Sequence, residues 1–292
     1  MQVAILYVLI VLIWGSTWIA ITFQLGVVAE EVSVAYRFLL GSIALFIYAW
    51  LTGRQIKIPR HQYGNVIITG ALMFSANYLF TYYAINYVTS GLVAVSFSLL
   101  VVGNALFERL FFKTPLERRL LVASTLGVVG ISCIFWPEIA SLSLQDRSVM
   151  GVVLALIAVL FASLGNMGAI RNNRRQLPVV AVNAHGMAWG ALVSALVAIA
   201  MGREFSFSFE TGYVLSLAYL AIFGSAVAFG CYLALLRMIG SARAAYSSVL
   251  FPIVALLIST VAENYQWSVL AFIGILFIVA GNWLTLSQIK RN

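Results

Sequence analysis

The side chains best able to do acid–base or metal chemistry are few in this chain, and they are scattered. There are two histidines, His61 and His185, and a single aspartate, Asp146; the two cysteines, Cys133 and Cys231, sit in different apolar runs. A nucleophile with its base, a pair of carboxylates, or His and Cys at metal-ligand spacing cannot be read from such a set. No catalytic residue, metal ligand or cofactor is therefore expected, and the chain does not read as an enzyme. What recurs instead is amides, hydroxyls and aromatic rings within long apolar stretches: Trp14, Thr17, Asn77, Tyr78, Tyr82, Ser96, Asn104, Asn166, His185, Tyr232 and Tyr246. These groups stack and hydrogen-bond without breaking covalent bonds, so the chemistry they offer is binding. In hydrocarbon each must either bond a neighbouring helix or line a cavity.

Spacing narrows the choice. Trp14, Thr17, Trp18 and Ile21 share one helical face, and the indole of Trp14 combines a broad contact surface with one donor. Asn77 and Thr81 form one stripe beside a second made by Ser75, Tyr78 and Tyr82. Ser96, Asn104 and Glu108 lie near a common face, while Asn166 belongs to a small-residue stripe with Ala162 and Ala169. His185 is the one histidine inside an apolar run; it serves either an interhelical bond or proton coupling, which makes protons a candidate co-substrate. The Gly186/Gly190 pair beside it marks close helix contact and leaves a homodimer open. Three charged residues are candidates for gating. Arg37 could snorkel to the headgroups, hold a substrate carboxylate or pair with a glutamate; Glu108 stands beside Arg109; Glu263 follows the ninth apolar run.

The elements that must carry these groups follow from composition. Hydrophobic residues make up 63% of the chain and charged ones only 9%, with a mean hydropathy of +1.02. A soluble domain has about 25% charged residues. The chain reads as an all-α integral membrane protein, because a helix of about 20 apolar residues crosses the hydrocarbon with its backbone polar groups satisfied internally. Ten spans are expected, near 3–23, 32–51, 64–85, 88–108, 117–136, 150–170, 179–201, 213–236, 244–262 and 268–287. The first lacks a basic n-region and a cleavage site, so it is expected to be retained. Most of the 17 basic residues fall in loops on one side, among them Arg54, Lys57, Arg60, Arg118, Arg119, Arg174 and Lys290. The opposite loops carry Glu30, Glu31, Glu138, Asp146, Glu204, Glu210 and Glu263. This bias puts both termini in the cytoplasm and accounts for the net charge of +8 without a nucleic-acid partner.

The chain also repeats itself. Ser90, Ala94 and Ser96 recur as Ser241, Ala245 and Ser247, and the same register places Ala123 on Gly274 and Gly130 on Gly281. Two five-span units, 1–136 and 150–292, would be joined by an extracytoplasmic connection, 137–149. Because five is odd, the second unit enters the membrane in the opposite sense, giving an inverted repeat suited to alternating access.

In this setting Trp14-Gly15-Ser16-Thr17, Arg37-Phe38, the passage from Tyr83 to Gly91 into Ser96 to Leu100, and Phe251-Pro252 followed by Ala262-Glu263 carry a resemblance. Together they resemble the EamA-type branch of the drug/metabolite transporter superfamily over nearly the whole chain. The sequence departs from the family at Phe112-Lys113, where the family often has Gly-Glu, and at Val101, opposite Pro252 in the repeat. The resemblance implies a ten-helix exporter or exchanger of small metabolites, often amino acids or related amphipathic compounds, in the bacterial inner membrane. A small-molecule receptor or sensor without transport is the alternative reading.

Overall fold

The computed structural model describes residues 2–88, 90–134, 136–140, 147–262 and 267–286; Glu263 and Lys290 lie outside them. Every regular element among the described residues is helical. In chain order these are α1 (Gln2–Thr22), α2 (Glu30–Leu51), α3 (Arg60–Ile85), α4 (Ser90–Phe97), α5 (Leu100–Phe112), α6 (Arg118–Ile134) and α7 (Trp136–Ala140). They are followed by α8 (Ser148–Arg174), α9 (Val179–Ala200), α10 (Thr211–Ile239), α11 (Ser241–Ala245), α12 (Phe251–Ala262) and α13 (Val269–Leu286). Six of them, α1, α2, α3, α8, α9 and α10, are long and apolar enough to cross a membrane. Their outward faces keep large apolar side chains exposed, such as Ile5, Leu9 and Leu12 on α1 and Leu39, Ile43 and Ile47 on α2. That is the surface hydrocarbon requires.

Local chemistry sets the helix ends. Pro59 and Pro178 stand just before α3 and α9, where a missing N–H costs nothing. α2 and α9 stop in the same way. Gly53 and Gly202 take φ of 63° and 66°, and the next residue's N–H returns to the helix, Arg54 to Ala49 O at 2.9 Å and Arg203 to Ala198 O at 2.8 Å.

The expected fourth and ninth spans are each broken rather than continuous. The first breaks between α4 and α5 at Ser98–Leu99. The second has α11, a 3-10 turn at Tyr246–Val249, and then α12. Serine hydroxyls divert backbone carbonyls here: Ser247 Oγ donates to Ala244 O at 2.8 Å and Ser248 Oγ to Phe97 O at 3.0 Å. Pro252 then falls in the first turn of α12, so it starts a helix instead of kinking one. α3 and α10 contain π-helical turns, at Leu72–Ala76 and Ile222–Val227.

Small residues bring backbones together. α6 and α13 run antiparallel with Gly130 against Gly274 O and Gly281 against Ala123 O; a Cβ on Gly130 would lie 2.6 Å from that carbonyl. On the other side of the molecule Gly70 and Phe74 of α3 meet Gly186 and Gly190 of α9. The GxxxG pair is thus occupied by a helix of the same chain.

Candidate functional site

Between α1, α3, α4, α5, α8, α10 and α12 lies a cavity of about 650 Å³, counted out to its mouth. Its wall is largely aromatic: Trp14, Trp18, Tyr78, Phe97, Phe229, Tyr232 and Phe251. Trp14 is the pivot. Its ring packs within 4.9–5.4 Å of the rings of Phe229, Tyr232 and Phe251, and its Nε1 donates to Gly224 O at 3.0 Å. That carbonyl is within reach because Gly224 sits in the π-helical turn of α10, where the normal ladder is interrupted. The matching turn in α3 immediately precedes Asn77 and Tyr78. It helps set the face on which Met73, Asn77, Tyr78 and Thr81 all meet the cavity.

Four polar atoms of this wall are buried without a hydrogen-bond partner among the described residues: Asn77 Oδ1, Asn166 Oδ1, Tyr232 OH and Trp18 Nε1. The Tyr232 hydroxyl lies beside the Asn104 and Asn166 amides without an aligned bond to either. Leaving one such group unpaired costs about 1–3 kcal/mol, so a wall carrying four is arranged for something other than stability.

Of the residues singled out from the sequence, Trp14, Thr17, Asn77, Tyr78, Asn166 and Tyr232 line the cavity. Asn104 is fully buried just behind, accepting from Asn166 Nδ2 at 3.2 Å and donating to Ser241 O at 3.4 Å. Four candidates lie elsewhere. Tyr82 is turned away to donate to Gln24 Oε1 at 2.8 Å, and Ser96 is buried in α4 outside the wall. Tyr246 donates to Ala123 O at 3.0 Å and packs on Gly127 and Gly281, fastening α6 to α13. His185 sits between α9 and α3. Its Nε2 donates to Ile56 O at 3.0 Å and its Nδ1 shares a hydrogen bond with the Tyr63 hydroxyl at 2.8 Å, so both ring nitrogens have partners. Thr81, Trp18, Phe97, Phe229 and Phe251 are among the other wall residues and are not among the candidate binding residues named from the sequence. Trp18 shares the Trp14 face, which was a usable signal; nothing distinguished the phenylalanines from packing rings.

The charged candidates also resolve. Arg37 does not snorkel: it is 1% exposed, its Nε donates to Ser225 Oγ at 3.0 Å, and its guanidinium lies 4.5 Å from the centre of the Tyr78 ring. Glu108 makes no ion pair among the described residues; it lines a separate cleft with Glu117 and Arg243, which pair at 3.0 Å. At the other end Glu31, its side chain fully buried, accepts from Tyr83 OH at 2.5 Å and lies 3.4 Å from Arg203 Nε. Neither pair is legible in the sequence, because the partners are far apart along the chain.

A helical membrane protein with an aromatic cavity bearing unpaired polar groups has the build of a protein that takes up small molecules within the bilayer. The sequence profile of the EamA-like transporter family matches residues 1–136 and again 149–287, and the chain belongs to that family. It is 26% identical over 284 residues to the uncharacterized inner membrane transporter YedA of Escherichia coli, covering 94% of this chain and 89% of that one. It is 22% identical over 291 residues to protein PagO of Salmonella typhimurium, covering 100% and 94%. Its similarity to the uncharacterized transporter YoaV of Bacillus subtilis is also 22%, over 97% and 96%. A solved crystal structure shares the fold with a TM-score of 0.79 at 17% identity, covering 99% of this chain and 98% of that one. The chain is a transporter of the EamA family.

Proposed function

We propose that the protein exports or exchanges small metabolites, such as amino acids or related amphipathic compounds, across the bacterial inner membrane by alternating access. Two inverted five-helix halves, 1–136 and 150–292, rock about the cavity, with both termini in the cytoplasm. The observation that carries this reading is the cavity wall, in which α1, α3, α4 and α5 face α8, α10 and α12 and four buried polar atoms await partners. Such a site at the meeting of two repeats is what a rocking transporter needs. The repeat itself is supported by features that recur in the Ser90-to-Ser241 register. The π-helical turns begin at Leu72 and Ile222, within a residue of correspondence, and the helix breaks fall at Ser98–Leu99 and Val249–Leu250. The α6–α13 contact maps onto itself under the same exchange, because Gly130 against Gly274 becomes Gly281 against Ala123.

The test is counterflow in liposomes, with purified protein and a panel of labelled amino acids and related compounds. At least one compound is expected to exchange, and Trp14→Ala is expected to lower that exchange at least tenfold through loss of the central wall. Stoichiometric binding with no flux for any compound would replace transport with sensing.

A further inference from the structure

Arg37 is a buried cation that forms no ion pair among the described residues. Its side chain is 1% exposed, and the ion pairs among the described residues are Glu31 with Arg203 and Glu117 with Arg243. Nε is used by Ser225 Oγ, but Nη1 has no hydrogen-bond partner. A guanidinium stays protonated at any working pH, so the charge cannot be shed to relieve the burial. Its place relative to the cavity is defined on two sides. The guanidinium carbon stacks 4.5 Å from the centre of the Tyr78 ring, and a Cβ on Gly224 would touch both Arg37 Nη2 and Thr17 Cγ2. Tyr78 and Thr17 are wall residues, so one layer of side chain separates the charge from the cavity. Among the described residues the wall contains no acidic or basic side chain. Glu108, the acid nearest Tyr232 on the neighbouring helix, is only half-buried and lines a separate cleft with Glu117 and Arg243, where solvent screens it more than it screens Arg37. Of the four unpaired wall groups, Trp18 Nε1–H and Tyr232 OH can donate to an anion, whereas Asn77 Oδ1 and Asn166 Oδ1 are acceptors left for the donors of the same compound.

We infer that the cavity selects compounds bearing a carboxylate, held with the anionic end toward the Tyr78–Thr17 wall, over the amide or amine of the same shape. The inference deepens the transport reading, since it assigns a charge class to the site that reading proposes. An aromatic cage would ordinarily welcome a cation. Here Arg37 already occupies a face of Tyr78, and a second positive charge in the cavity is repelled. A unit charge about 8 Å away at an effective dielectric near 20 is enough for about tenfold discrimination or more.

The experiment uses the full chain in detergent and three probes of one shape: 3-phenylpropanoate, 3-phenylpropanamide and 3-phenylpropylammonium. Binding is read from the quenching of tryptophan fluorescence, to which Trp14 and Trp18 in the wall contribute. The carboxylate is expected to bind at least tenfold more tightly than either analogue. In Arg37→Met that preference is expected to fall to within about twofold, with Arg37→Lys retaining part of it. Met keeps the volume, and Ser225 Oγ retains its own bond to Leu220 O at 2.8 Å, so folding is spared; thermal unfolding and gel filtration verify this. Equal binding of the three probes, tighter binding of the ammonium, no binding of any, or a preference unchanged in a folded Arg37→Met would each overturn the inference. The outcomes separate from those of the transport test: charge-selective binding without flux removes only transport, and flux without charge preference removes only the selectivity.

Discussion

At the scale of the residue, the cavity sets stability against function. Asn77 donates to Met73 O in its own helix at a weak 3.4 Å, and its Oδ1 is buried without a partner. Replacing such a group by an apolar one removes a desolvation cost of about 1–3 kcal/mol. Asn77→Leu is therefore expected to leave the thermal midpoint unchanged or raise it, while counterflow falls at least tenfold. A lowered midpoint with normal counterflow would assign Asn77 to packing. The same balance explains which site residues could be read in advance. An amide deep in an apolar run must have a reason to be there, so Asn77 and Asn166 announce themselves by type. Tyr82 and Tyr246 carry the same signal, yet their hydroxyls serve Gln24 and the Ala123 carbonyl, partners separated by 58 and 123 positions. Only the folded chain distinguishes a phenol that lines a cavity from one that ties two helices.

At the scale of the element, apolar runs revealed where helices lie, because a span must satisfy its backbone internally whatever its neighbours do. Their interruptions were hidden. A π-helical turn adds one residue without a sequence mark, and the break near Ser98 depends on Ser248 reaching across to Phe97 O. The small residues were legible as packing signals but did not name their partner helix. That pairing is testable. A methyl group on Gly130 meets the Gly274 carbonyl at 2.6 Å, too close to be absorbed by a side chain turning aside, so the two helices must separate. Gly130→Ala is expected to destabilise by about 1–3 kcal/mol, read as a lower thermal midpoint. Gly64→Ala, at an exposed position of α3 with nothing within 4 Å, serves as the reference and is expected to be neutral or to stabilise by up to about 1 kcal/mol. Equal midpoints for the two variants would mean that α6 and α13 do not approach through these glycines.

At the scale of the whole molecule, two ion pairs join residues of the first half to residues of the second, and they stand at opposite ends. Glu31 opens α2, and its partner Arg203 follows α9; Glu117 precedes α6, and its partner Arg243 lies on α11. With both pairs made, the cavity is fastened at each end, and the proposed rocking of the halves would open one pair while keeping the other. Glu117 and Arg243 are 51% and 26% exposed, so their pairing contributes little to folding, on the order of 0.2–1 kcal/mol. The same small energy acts fully on a balance between two conformations, where it changes populations by up to about fivefold. Glu117→Gln is accordingly expected to leave the thermal midpoint nearly unchanged and to favour opening at that end. The probe is a cysteine at Ala162 in the cavity wall, in a chain with Cys133 and Cys231 replaced by Ala, labelled by an impermeant thiol reagent. In inside-out vesicles Glu117→Gln should raise the labelling rate about two- to fivefold, and in intact cells it should lower it, because each population gains at the other's expense. An increase from both sides would describe a loosened bundle rather than a gate. No change from either side would mean that the pair bears no part of the conformational balance.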